Sequence, residues 1–281
     1  MKQDQVRNRL LKALPSWVFE LLQPHMAAVE LPLKTVLVEP NEITSHIYFI
    51  ESGLGSIIAT SPDGEVTEVG HVGFEGMSGS HIVLMSQRVP STTLMQVAGS
   101  ATALPSEAFF DIIERSFDAR RILLRYVHAY QIQLAYTALA NVRYDMPQRL
   151  ARWLLMSHDR LQDDDMPLTH QFLSIMLGVR RSGVTDQIHV LEGLHAIRST
   201  RGVVHIRDRG KLREIAGGCY GVPEKEYERL VGEALKPADT DDAAPPNGID
   251  APRQSRTHMQ SRTPPLRDPI AVHYEREKTS H

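Results

Sequence analysis

Apolar residues change their period several times along the chain, and each change predicts a change of element. Between about residues 5 and 29, Leu10, Leu11 and Leu14, then Val18, Leu21 and Leu22, recur three or four apart. Pro15 and Pro24 interrupt them, which predicts short helices. From about Val29 to Leu104 the period shortens. The runs TVLVE, HIYFIE, LGSIIAT, EVTEVGHV, TTLMQVA and SATAL are rich in β-branched or aromatic residues, with turn signals at Pro40-Asn41, Glu51-Ser52-Gly53 and Pro62-Asp63-Gly64. Short strands at this spacing predict a sandwich, barrel or roll. Behind Pro105 the helical period returns, with Ser106 read as the N-cap of a helix over SEAFFDIIERS.

From about Phe117 to Val142 there is neither Pro nor Gly, and Leu123, Leu124, Val127, Tyr130, Leu134 and Ala138 form a stripe. A helix of about 26 residues is roughly 39 Å long. Two readings stand: a connector packed within its own chain, and, favoured by the persistence of the stripe, a two-helix dimer seam. Asp145-Met146-Pro147 opens a further helix, QRLARWLLMSHDRL, and Asp163-Asp164-Asp165 reads as the polar turn that closes it. Past Lys236 the chain is poor in apolar residues and dense in Pro, Asp and Ser, so Pro237 to His281 reads as disordered.

The segment LTHQFLSIMLGVRRSGVTDQIHVLE carries the most specific pattern. Thr169 can cap a helix from His170 to Leu177 whose apolar face is Phe172, Leu173, Ile175, Met176 and Leu177. Gly178 suits the helix end and the tight turn. A second helix begins near Arg180 to Ser182, with Val184, Ile188 and Leu191 inward and Arg181, Ser182, Thr185, Asp186 and His189 outward. That is the spacing of a helix-turn-helix, whose second helix presents its first turn to the major groove of DNA. An arginine there can donate two hydrogen bonds to guanine O6 and N7, a contact worth roughly 1 to 3 kcal/mol of base discrimination. Beyond it, AIRSTRGVVHIRDRGKL reads as two strands about Arg201-Gly202, a β-hairpin wing on which Arg198, Arg201 or Arg207 can touch phosphate.

Composition localises any nucleic-acid footprint. Lys plus Arg, 31, nearly balance Asp plus Glu, 34, for a formal net charge of −3. Met166 to Ile215 nevertheless holds eight basic against four acidic residues, a local charge of +4 that leaves −7 on the rest of the chain. The single cysteine, Cys219, excludes a disulfide framework and a four-thiolate metal or iron-sulfur site, and reads as an inert thiol. The histidines show no metal-ligand spacing, and no nucleophile motif, phosphate loop or paired-carboxylate cluster is present. The expectation is a non-enzymatic, cytoplasmic protein without metal or cofactor and without membrane contact, since no apolar run approaches the roughly 18 residues of a membrane span.

The order of elements resembles the Crp/Fnr family of bacterial transcriptional regulators over roughly residues 15 to 215. The residues behind the resemblance are HIYFIESGLGSI, the glycine-rich HVGFEGMSG, the long helix and the helix-turn-helix segment. It implies an α+β fold: an N-terminal double-stranded, jelly-roll-like β-roll sensor over 1–116, a dimerisation helix over 117–142, a winged helix-turn-helix over 143–236 and the tail 237–281. It also implies a homodimer on double-stranded promoter DNA, with RNA polymerase as a further partner and a small-molecule effector in the roll. Arg181 falls where the family's guanine-reading arginine sits, with Ser182 and Asp186 at its other base-reading positions, where the family often has Glu and Arg.

The DNA-contacting set is Thr169, Arg180, Arg181, Ser182, Thr185, Asp186, His189 and Arg201. In the roll, cyclic-nucleotide-binding members use a Gly-Glu pair for the ribose, an Arg-Ser pair for the phosphate and a Thr-Ser pair for the base. Here the matching positions hold Gly79-Ser80, Thr92-Thr93 and Leu134-Ala135, so the candidate effector pocket is Glu75, Gly79, Ser80, Thr92, Thr93 and Leu134. A cyclic phosphate without its arginine lacks a counter-charge, which predicts no tight cAMP binding. Arg88, four residues before Thr92, would restore the pair under a shifted alignment. Haem through His46, His71 or His81 is a minor alternative. The competing reading of the whole chain is a cyclic-nucleotide-type signalling or interaction module that senses a metabolite or binds a protein without touching DNA.

Overall fold

Residues 1–232 are described by a computed structural model, with Gln171 and Arg181 described by their backbone alone; the disorder expected of 237–281 lies outside the described residues. Prolines keep the first helices short. They are α1 (Arg9–Ala13), where Asn8 Oδ1 accepts from Leu11 N at 3.1 Å, and α2 (Ser16–Leu22). Leu10, Leu11, Leu14, Val18 and Leu22 are buried as their spacing predicts, whereas Leu21 faces solvent. The helical reading to residue 29 overruns, because Pro24 sits in a 3-10 turn and β1 (Ala27–Leu31) begins directly after it.

The remaining roll strands are β2 (Val36–Val38), β3 (His46–Thr60), β4 (Val66–Val72) and β5 (Thr92–Pro105). They make an antiparallel sheet in the order β1-β5-β3-β4, with β2 also on β5. Two expected breaks are absent. HIYFIE and LGSIIAT form one strand, as do TTLMQVA and SATAL, so Glu51-Ser52-Gly53 is not a turn. It is a bulged crossing, where the register slips between Ile50 and Ser52 and again on either side of Leu54. Gly53 has φ +83°, and a Cβ on Gly99 would lie 2.0 Å from the Ser52 carbonyl oxygen, so glycine lets two bending strands touch without reversing. The bend carries Leu54 and Val97 out of the roll and into the core of the following helices.

Ser106 is the first residue of α3 (Ser106–Glu114) and not its cap, which is Pro105, and the Ser106 hydroxyl is buried without a partner among the described residues. In α4 (Phe117–Arg143) the Ser116 hydroxyl accepts from Ala119 N at 3.2 Å. The predicted seam stripe divides. Leu123 and Val127 are buried in their own chain, Tyr130 and Leu134 are half-buried beside the roll, and Leu124 and Ala138 are exposed. A capping box starts α5 (Met146–Leu161): Asp145 Oδ1 accepts from Gln148 N at 3.0 Å and Gln148 Oε1 from Asp145 N at 3.1 Å.

Asp165 does not end a polar turn but opens β6 (Asp165–Met166), the edge strand of a three-stranded sheet ordered β6-β8-β7. Between its strands in sequence lie α6 (His170–Leu177) and α7 (Arg181–Gly193), followed by β7 (Ile197–Thr200) and β8 (Val203–Ile206). After α8 (Arg209–Ala216), α9 (Val222–Val231) returns to pack along α4 and places Tyr227 in the N-terminal core. One core thus joins α1 to α4, β3 and α9, a second joins α5 to α8, the wing and the roll bulge, and a third lies inside the sheet. Among the described residues no helix is long and apolar enough to cross a membrane.

Candidate nucleic-acid interface and the roll cavity

The helix-turn-helix is built by local chemistry. Thr169 Oγ1 accepts from Phe172 N at 3.3 Å and starts α6, and Gly178, at φ +63°, ends it. The turn closes through Gly178 N to Ile175 O at 3.3 Å and Val179 N to Ser174 O at 3.1 Å. Arg180 is extended and exposed at the N-cap of α7, and its side chain makes no cap hydrogen bond at the positive end of that helix. Val184, Ile188 and Leu191 are buried against Leu173 and Leu177, as the spacing requires. Ser182, Asp186 and His189 lie exposed on the opposite face.

Thr185 departs from the predicted set: it is half-buried and bonded to His170 Nδ1 at 3.2 Å, which orients α6 against α7. Arg181 occupies the first helical position of α7, and its side chain lies outside what is described. The wing turns at Arg201 (φ 47°) and Gly202 (φ +82°), between paired Thr200 and Val203. Two positive φ values in a two-residue loop make this a type I′ turn, which puts Arg201 at the exposed tip. Arg198 and Arg207 are exposed beside it. Arg209 is different, since its Nη2 donates to Asp159 Oδ1 at 2.6 Å and to the Tyr220 hydroxyl at 3.0 Å. One of the eight basic residues counted in this module is therefore committed to an internal ion pair.

Of the six candidate effector residues, four converge. Gly79, Ser80, Thr93 and Leu134 line a recess of about 190 Å³ together with Tyr126, Tyr130 and His81. Thr92 lies outside it. Glu75 is diverted to a buried ion pair with Arg160, Oε1 to Nε at 2.6 Å. Arg88 does not rescue the missing cation, because it reaches the Asn41 carbonyl at 3.4 Å on the surface. Burial lowers the pKa of His81, whose Nε2 lies 2.9 Å from Thr44 Oγ1, and raises those of Tyr126 and Tyr130; all three are neutral near pH 7.

Between this recess and the helix-turn-helix runs a buried polar clamp that the sequence reading missed. Arg160 of α5 also donates to the Met156 carbonyl at 2.9 Å and to Gln133 Oε1 at 2.7 Å, while Gln133 Nε2 donates to the His71 carbonyl at 3.1 Å. Trp153 Nε1 donates to Glu68 Oε1 at 2.8 Å, the Ser56 hydroxyl bonds the other oxygen of Glu68, and the Tyr227 hydroxyl reaches the Glu75 carbonyl at 2.8 Å. Burial opposes the charge on Arg160, but the carboxylates of Glu75, Asp159 and Glu224 outweigh it and its pKa rises. Burial, then the Arg160 charge, lowers that of His71 despite the Glu68 contact at 3.3 Å. One signal was available: LARWLLMSHDRL is apolar on more than one face, and a helix buried all round must pair its charges within the protein. Cys219 is buried, and burial raises its thiol pKa, which makes it unreactive.

A cyclic nucleotide-binding domain model matches residues 28–116 and a Crp-like helix-turn-helix domain model matches residues 148–215, together more than half of the chain. No curated protein matches. Among solved structures, FixK2 from Bradyrhizobium japonicum is 14% identical with a TM-score of 0.61, over 69% of this chain and 98% of that one. A putative transcriptional regulator of the Crp/Fnr family from Eubacterium rectale is 15% identical with a TM-score of 0.59, over 75% and 98%. The c-di-GMP responsive global regulator CLP from Xanthomonas campestris is 18% identical with a TM-score of 0.54, over 68% and 99%. At these identities the likeness speaks for the fold.

Proposed function

Because the chain belongs to the Crp/Fnr family of transcriptional regulators, we propose that it is a homodimeric, sequence-specific DNA-binding regulator that works in the cytoplasm, is not an enzyme and does not respond to cAMP. The observation that carries this reading is the exposed start of α7, which the Arg180 side chain does not cap, beside an arginine-tipped wing. Such a pair fits a helix N-terminus in the major groove and a basic turn on the adjacent phosphates. Arg181, at the first helical position, is the proposed guanine reader; Arg180, Ser182, Asp186 and His189 are its neighbours on the groove face, and Arg201 is a phosphate contact. Thr169, exposed at the cap of α6, and Thr185, which ties α7 to His170 of α6, complete the proposed DNA-facing set.

Dimerisation is supported by a second apolar face on α4. Phe117 and Leu124, seven residues apart, and Leu139 and Val142 in its last turns are exposed, Phe117 at 76% and Val142 at 79%. The absence of cAMP control is supported by the recess, whose lining among the described residues includes no lysine or arginine. A dimer acting at promoters would work beside RNA polymerase. Selection of bound duplexes from a randomised pool tests the proposal. It should enrich two half-sites related by two-fold symmetry, with centres about 34 to 36 Å apart; a pool that stays unenriched contradicts it.

A further inference from the structure

The recess in the roll is built for a ligand, and its lining says which kind. Among the described residues its wall holds no Lys, Arg, Asp or Glu. An ion entering it would shed water and meet no counter-charge, so anions and cations are both disfavoured. Its apolar wall is formed by residues such as Ile57, Val72, Val89 and Leu134. At about 190 Å³ it exceeds the roughly 150 Å³ of an apolar cavity that holds benzene, so one ring, or two fused rings, fit.

The polar groups of the wall fall into two sets. The Tyr126 hydroxyl is occupied by Met77 N at 3.2 Å, Ser78 Oγ accepts from Tyr48 N at 3.1 Å, and His81 is held by Thr44. The hydroxyls of Ser80, Ser91, Thr93 and Tyr130 have no hydrogen-bond partner among the described residues. Thr93 is only 5% exposed. None of the four hydroxyls is a fully enclosed orphan, so each stays accessible to form a hydrogen bond with a ligand atom in place of solvent.

We propose that this recess binds a small, uncharged ring compound carrying one or two hydrogen-bonding groups, in place of a cyclic nucleotide. The inference rests on the reading that the chain does not respond to cAMP and gives that same site its ligand class. Occupancy is transmitted through α4. Tyr130 and Leu134 line the recess, and Gln133 between them holds both the His71 carbonyl and Arg160 of α5. A ligand that moves this turn of α4 therefore moves the anchor of the DNA-binding module.

The test is ligand-observed NMR and calorimetry on the full chain with benzamide, indole, benzoate and cAMP. Benzamide and indole should bind, benzamide at least about tenfold tighter than its isosteric anion benzoate, and cAMP not at all. Leu134→Trp should fill the recess and abolish binding of both neutral probes. Thr93→Val, which keeps the shape of the side chain, should weaken benzamide about fivefold. Benzoate binding as tightly as benzamide, equal benzamide affinity in Thr93→Val and the parent, or no binding of either neutral probe overturns the inference. Binding of cAMP at this site would overturn the reading beneath it as well, whereas failure of the neutral probes with cAMP also silent overturns the inference alone.

Discussion

The clamp between α5 and the roll makes a demanding prediction about Glu75 and Arg160. Both side chains are 4% exposed, and Arg160 spends its donors on Glu75, Gln133 and the Met156 carbonyl. Glu75→Gln keeps the shape and one acceptor but removes the counter-charge from a buried guanidinium. Breaking such a pair costs about 3 to 5 kcal/mol, and the retained hydrogen bond places this variant near the low end, at about 3. Arg160→Met strands the Glu75 carboxylate with the Gly73 N–H at 3.0 Å, and belongs near the upper end. The double variant Glu75→Gln/Arg160→Met leaves a neutral amide beside an apolar side chain, so it should lie closer to the parent than Arg160→Met does, with a coupling of at least about 2 kcal/mol. Urea unfolding followed by tryptophan fluorescence reads this out. Trp153 is buried on the clamp through Glu68, while Trp17 is half exposed and serves as the internal reference. Costs below about 0.5 kcal/mol for Glu75→Gln, or a double variant equal to the sum of the singles, would refute the reasoning.

The capping box gives a smaller, local effect: Asp145→Ala should destabilise the chain by about 1 kcal/mol in the same unfolding assay, and no measurable change would show that the 3.0 Å bond from Gln148 N contributes nothing. Burial holds the folded pKa of His71 below its unfolded value, so at acidic pH the unfolded chain binds the proton that the folded chain refuses. The stability that His71 retains at neutral pH is therefore lost as pH falls below about 6.5, by about 1 kcal/mol between pH 6.5 and 5.5. Measured against pH, His71→Gln should remove that share of the slope, and a variant with the slope of the parent would show that the imidazole titrates freely.

What the sequence made legible was local. Val184, Ile188 and Leu191 recur every three or four residues, Gly178 breaks the pattern where backbone must turn left-handed, and Arg201-Gly202 marks a two-residue hairpin. In each case the residues that decide the structure are neighbours. Non-local decisions stayed hidden. Gly53 looks like a turn because positive φ is its commonest use, but the carbonyls of Val97 and Ala98 on the facing strand make it a bulge in a strand that runs on. The stripe read on α4 divides: Leu123 and Val127 are covered within the chain and Tyr130 and Leu134 lie beside the roll, while the exposed apolar face is Phe117, Leu124, Leu139 and Val142, of which the stripe held only Leu124. The pairing of α5 with the roll is equally non-local, since Arg160 meets Glu75, and the Trp153 indole meets Glu68, each across 85 residues of chain. In the roll, the position of Thr93 was readable and the loss of Glu75 to Arg160 was not, because chain distance hides a buried ion pair.

The account turns on α7 reading bases through its first turn, and the most direct test is Arg181→Ala on a duplex selected by the parent chain, beside a scrambled duplex at the same salt. The account predicts a loss of about 5- to 150-fold on the selected duplex, corresponding to about 1 to 3 kcal/mol, confined to guanine positions, with less than about twofold change on the scrambled one. An equal loss on both duplexes, or none on either, would contradict it.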